Sequence, residues 1–221
     1  MKMSDLPNKL TEIQEYRGVE GLVAAKVLVD DNETGEGHGY VTGPVFAIAG
    51  VAEVTKAVEN SNETHYYDNV GAIVIDGVGP DTITVNTSAI PIDVQAELTG
   101  QAYLQDTGAL VEGGNPTAPY FALGYLTKKT DGSAVYVWRH KGKIALGDLT
   151  NSTKTNQPAA NGQSFTYTGI DTNHKWTKTG KTGKGLVVEA SRGLADVTGF
   201  FDAVKTPDTL QPVSQQQQTT P

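Results

Sequence analysis

A chain of 221 residues without cysteine excludes disulfide scaffolds, zinc knuckles and thiol nucleophiles. Its net charge of −8 and pI of about 4.9 argue against phosphate-driven nucleic-acid binding, which needs Lys and Arg. The 25 Gly and 27 Thr, beside only 19% charged residues, favour β structure, because Thr suits a pleated surface and Gly marks turns.

The first 20 residues are polar and hold no apolar stretch of signal-peptide length; residues 1–19 read as an N-terminal arm. No run of about 18 apolar residues follows, so no membrane-spanning helix is expected, and synthesis in a cytoplasm is. Four Asn-x-Ser/Thr triplets, at Asn32, Asn62, Asn86 and Asn151, then read as accidents of a Thr-rich sequence. Residues 18–29 are apolar and β-branched, a predicted strand. Residues 30–39 (DDNETGEGHG) are acidic, Gly-studded and without apolar side chains, an exposed loop. Residues 40–58 read as two strands parted at Gly50, the second with one wet face carrying Glu53 and Thr55. Residues 60–69 read as a polar loop or hairpin tip. Short strands are predicted at 72–75 and 82–86, with a turn at Gly77, Gly79 and Pro80 between them.

A helix is predicted over 92–99, with Pro91 at its start and Gly100 just beyond its end. Ile90, Val94 and Leu98 recur every four residues, a stripe able to lie on a sheet. Residues 112–116 are a linker-like turn. Strands follow at 119–127, 134–147, 164–170, 174–178 and 184–190. Residues 194–204 form a short helix or turn that brings Phe200 and Phe201 inward. The end, 208–221, reads as a low-complexity C-terminal tail, with disorder predicted for its Gln-rich part, 214–221. The sum is a mainly β sandwich or barrel of about ten strands with one flanking helix.

Charge is unevenly placed. Residues 1–120 hold 18 acids and 5 bases, whereas 121–221 hold 7 acids and 12 bases. One sign of net charge serves solubility. An acidic half and a basic half also let identical copies attract each other head to tail, the arrangement that builds rings or filaments.

The chemical motifs are weak. Gly180-Lys181-Thr182 resembles the end of a phosphate-binding loop, but Lys175 stands where the first glycine is needed, and the segment reads as a solvated basic turn. Asp30-x-Asn32-x-Thr34-Gly35 opens like a calcium loop, but its twelfth position is Val41 and neither flank is helical. His38, His65, His140 and His174 lie on separate segments without ligand spacing. No Gly-x-Ser-x-Gly elbow occurs. No enzyme, metal or cofactor is expected. The aromatics, Trp138 and Trp176 among them, allow a sugar-binding stripe but fall mostly inside strand patterns, where packing is the default.

Several segments occur in a telling order: Tyr66-Tyr67-Asp68-Asn69, Pro119-Tyr-Phe-Ala-Leu-Gly124, the Asp131-Gly132 turn, Lys143-Ile-Ala-Leu, Ser164-Phe-Thr-Tyr and Phe200-Phe-Asp-Ala-Val-Lys-Thr-Pro207. Across residues 20–207 this order resembles the major tail protein (tail tube) family of long, non-contractile-tailed phages of Gram-positive bacteria. The resemblance implies a tail tube β domain over 20–207 whose copies form stacked hexameric rings. Four strands per subunit would join one lumen-lining barrel through which phage DNA passes. It also implies a virion location and, as partners, further copies of the chain, a tape measure protein and other tail proteins. Roughly 24 strands ~4.8 Å apart close to a diameter of at least ~37 Å, wide enough for a duplex.

An acidic lumen would repel phosphate and let DNA slide. Glu20, Glu53 and Asp76 are therefore expected to face it. The loop from residue 30, with Asp30, Asp31, Glu33 and Glu36, is expected together with the N-terminal arm to make ring-to-ring contacts. Two other readings remain open: a carbohydrate-binding or adhesion module, and another phage structural protein such as a tail terminator or capsid decoration subunit.

Overall fold

In a computed structural model the structure describes residues 14–67, 70–114, 116–149 and 162–213. The N-terminal arm before Gln14, the Asp68-Asn69 tip, Asn151 and the tail from Ser214 lie outside the described residues.

Among the described residues, ten strands and one α-helix follow in chain order. They are β1 (Tyr16–Asp30), β2 (Tyr40–Ala47), β3 (Val51–Tyr67), β4 (Val70–Thr87), α1 (Ile92–Thr99), β5 (Ala102–Leu104), β6 (Ala109–Val111), β7 (Phe121–Lys129), β8 (Ala134–Leu146), β9 (Gln163–Gly169) and β10 (Gly185–Glu189). Eight of the strands form one antiparallel sheet in the order β2-β1-β7-β8-β9-β4-β3, with β10 on β8; β5 and β6 form a separate hairpin. The mainly β expectation holds. No helix among the described residues is long and apolar enough to cross a membrane.

Alternation along the central strands explains why this sheet is buried on both faces. Ala24, Leu123 and Val137 point into one core with Ile83, Val85, Phe165 and Tyr167; their neighbours Ala25, Ala122 and Trp138 point into a second. The first core is capped by α1, whose predicted stripe is realised: Ile90 and Leu98 are buried and Val94 packs against them. Gly100 ends the helix in the left-handed region, where a Cβ would also sit 2.6 Å from the Thr117 carbonyl oxygen. The second core is closed by the C-terminal segment, through Phe200, Val204 and Leu210. The Trp138 indole N–H donates to the Phe200 carbonyl at 3.1 Å.

Strand β8 passes between two partners on one edge. Val135–Arg139 pair with β10, and residues 142–146 pair with β9. Gly142 sits at the changeover, where a Cβ would lie 2.4 Å from the Tyr167 ring.

Four sequence expectations are corrected. Residues 60–67 are strand, not loop, because β3 runs on to Tyr67 against β4. Residues 77–80 do not turn: β4 is continuous over Val70–Thr87, and Gly79 and Pro80 fall inside a β-bulge between the pairs Val58↔Asp81 and Asn60↔Val78, where a missing N–H is tolerated. Residues 174–178 are a turn, not a strand. The Trp176 N–H donates to the Lys181 carbonyl, and Asp208 accepts the N–H groups of Thr177 and Lys178 at 2.9 Å. For the same reason residues 208–213 belong to the folded body. Pro212 bridges Ala195, and the Val213 N–H donates to the Leu194 carbonyl.

Candidate functional site

Among the described residues β2 and β3 end the sheet path, so each carries one edge without a strand partner. Unpaired edges of this length are templates for another chain. Strand β9 supports β4 only over Asp81–Thr87. Beyond it the β3–β4 pair continues to Tyr67 and Val70 as a two-stranded ribbon on the order of 35 Å long. Val70, Ile73 and Val78 are exposed on it, Val78 at 70%, and Val58 is exposed at its base, opposite Asp81. A lone ribbon of this kind is marginal in water, so it gains most from a partner surface. Sequence reading missed this arm, because polar residues 60–64 masked its strand pattern.

A groove of about 940 Å³ runs beside the β2 edge, between α1 and the β1–β2 pair. Leu28, Phe46, Val94 and Tyr103 line it, with Lys26, Asp93 and Glu97 contributing charge.

The acidic loop is organised by its own first residues. Asp30 is buried beside the buried Lys141 ammonium, at 2.5 Å, and its carboxylate accepts the N–H groups of Asn173 and His174 at 2.8 Å. Asn32 donates to the Asn173 carbonyl and accepts the Lys175 N–H, both at 2.8 Å. The Gly39 N–H donates to Asp31 at 2.7 Å and closes the loop's neck. That bond, with further ones from His38 and the Glu33 N–H, holds the Asp31 carboxyl below the usual carboxylate range. The four acids expected at ring-to-ring contacts thus have different surroundings. Asp30 and Asp31 hold the loop in place, while Glu33, beside His38 at 3.3 Å, and Glu36 lie at the surface. Of the oxygens that suggested a calcium loop, those of Asp30 and Asn32 already accept backbone N–H groups.

The three acids expected at a lumen lie at separate stations. Glu20, on β1 opposite Leu126, is exposed and ion-paired with Lys128. Glu53, exposed at the base of β3, accepts the Asn86 side-chain N–H at 2.9 Å. Asp76 belongs to the arm, opposite Asn62; its side chain lies outside the described residues.

Residues 180–182 close a turn in front of β10, with no helix behind them to receive a phosphate. The histidines are not all separate. The rings of His140 and His174 both approach Trp176, with centroids 4.9 and 5.1 Å away, and Tyr40 completes the cluster. Burial lowers the pKa of His140 to about 4, opposed by its bond to the Lys205 carbonyl and aided by Arg139; it is neutral at pH 7. Trp138, Tyr167, Phe121, Phe165 and Phe200 are fully buried and Trp176 nearly so. They pack the interior and offer no stripe for a sugar.

No protein-family model matches the chain, and no curated protein matches it.

Proposed function

We propose that this chain is a structural subunit that polymerises as stacked hexameric rings into a tube, as the resemblance to phage major tail proteins implies. The observation that carries the reading is the pair of free edges at opposite ends of one sheet. Joining β2 of one copy to β3 of the next is a heterologous contact. Such contacts propagate into closed rings or filaments, whereas a two-fold dimer would pair an edge with itself. The β1–β2 and β3–β4 pairs, which bear those edges, supply four strands per copy to a shared barrel. Ring closure would remove both edges.

Three further features support this reading. The projecting arm reaches far enough to lie on a neighbouring copy. The acidic first part and basic second part of the chain favour head-to-tail encounter. A net charge of −8 suits a conduit that DNA traverses without being gripped. In this reading the acidic loop with Glu33 and Glu36 faces the next ring, and Glu20, Glu53 and Asp76 contribute to a repelling lumen. A tape measure protein and other tail proteins are its partners in the virion, no enzymatic step is involved, and no cofactor is needed. Sedimentation of the purified chain tests the reading: a hexamer and its multiples are expected, and a monomer at all concentrations would count against it.

A further inference from the structure

The sheet curls until the start of β3 comes near the first half of β1, leaving a cleft of about 550 Å³ at the seam. That size falls in the range of small-ligand sites. Its walls are apolar: Val19, Val54, Tyr125, Val135 and Val137. Lys56 and Arg139 add cationic side chains to the lining. Alternation explains the arrangement, since Val135, Val137 and Arg139 share one face of β8, and Val54 and Lys56 share one face of β3.

These cations outnumber the anion that gathers them. Asp81 is 4% exposed in its side chain and meets Lys56 at 2.8 Å, Lys184 at 3.4 Å and Arg139 at 3.7 Å. One buried carboxylate cannot neutralise three cations, and uncompensated charge in a low-dielectric site is costly. The Arg139 Nε–H is buried and makes no hydrogen bond. A buried donor without a partner has an unmet need for an acceptor. Glu53, the acid that also lines the cleft, accepts from the neutral Asn86 amide; with it, three cations stand against two carboxyl groups.

We propose that this cleft binds a small amphiphilic carboxylate of the medium-chain fatty acid class. Its head accepts from Arg139 and Lys56 beside Asp81, and its apolar body lies along Val19, Val54, Tyr125 and Val137. Charge complementarity selects the head and the valine walls select the tail.

Decanoate, kept below its micellar concentration, is titrated into the full chain by isothermal titration calorimetry, with hydrogen–deuterium exchange to locate it, so that assembled chain is read as well. Saturable binding is expected, with added protection centred on Val19, Val54, Tyr125 and Val137. 1-Decanol, the same chain without the charge, is expected to bind at least tenfold more weakly. Arg139→Gln should weaken decanoate at least tenfold, while Lys128→Gln, whose ammonium pairs with Glu20, should leave it unchanged. Absence of saturable binding overturns the proposal, as do equal affinities for decanoate and decanol. If Arg139→Gln does not fold, the comparison of the two ligands on the unaltered chain still decides.

Discussion

Asp30, the last residue of β1, holds its carboxylate 2.5 Å from the ammonium of Lys141 on β8, and both side chains are buried. The pair joins two strands that are not neighbours in the sheet and fixes the root of the acidic loop. Removing one partner strands a buried charge, which costs about 3–5 kcal/mol. Asp30→Ala is therefore expected to lose about that much stability in urea unfolding. Lys128→Ala, which breaks the exposed pair with Glu20, should cost under about 1 kcal/mol. Equal effects of the two would remove the loop-anchoring role from Asp30.

His140 gives the fold a pH dependence of defined sign. Its pKa is about 4 in the folded chain, against an ordinary value of 6.5, chiefly through burial. Between those values the unfolded chain holds more protons, so stability falls as pH drops from 6.5 towards 4. The loss is on the order of 3 kcal/mol. Glu189, lowered to about 2 by Lys129, Arg192 and Ser191, acts in a separate window. Its contribution is present above pH 4.5 and is lost as pH falls towards 2. Thermal unfolding from pH 7 to 4 should show the first window, and His140→Gln should be less stable at pH 7 but nearly flat across it.

Gly142 marks the point where β8 changes partners. A methyl group there would meet the Tyr167 ring at 2.4 Å and the Thr168 carbonyl oxygen at 2.6 Å. Neither atom can retreat from a packed core, so Gly142→Ala should destabilise by about 1–3 kcal/mol. Gly132, whose Cβ position is open, is the comparison for backbone strain alone, since its φ is +83°.

Much of this fold was legible in the sequence, and the failures have physical causes. Pro91 and Gly100 bound α1 because each acts on its own backbone. The alternation in 134–146 was readable because both faces of that strand are packed. The arm was not readable: its Gly79 and Pro80 signal a turn wherever no bulge accommodates them. Asp30 looked like a wet loop acid because its partner Lys141 lies 111 positions away. The clustering of Lys56, Arg139 and Lys184 on Asp81 depends on three strands and a loop meeting, which no local pattern announces.

The exposed valines of the arm separate folding from assembly. Val58 and Val78 are already in water, so Val58→Lys with Val78→Lys should change unfolding stability by under about 0.5 kcal/mol. If the arm lies on a neighbouring copy, the same double variant should stay monomeric in size-exclusion chromatography where the unaltered chain assembles. Assembly that persists unchanged would remove the arm from the interface.

Negative-stain electron microscopy of the purified chain shows at once whether copies assemble into a tube. Rings with six-fold symmetry in end view and hollow tubes of stacked rings in side view are expected. A field of single compact particles at every concentration, with no rings or tubes, would contradict it.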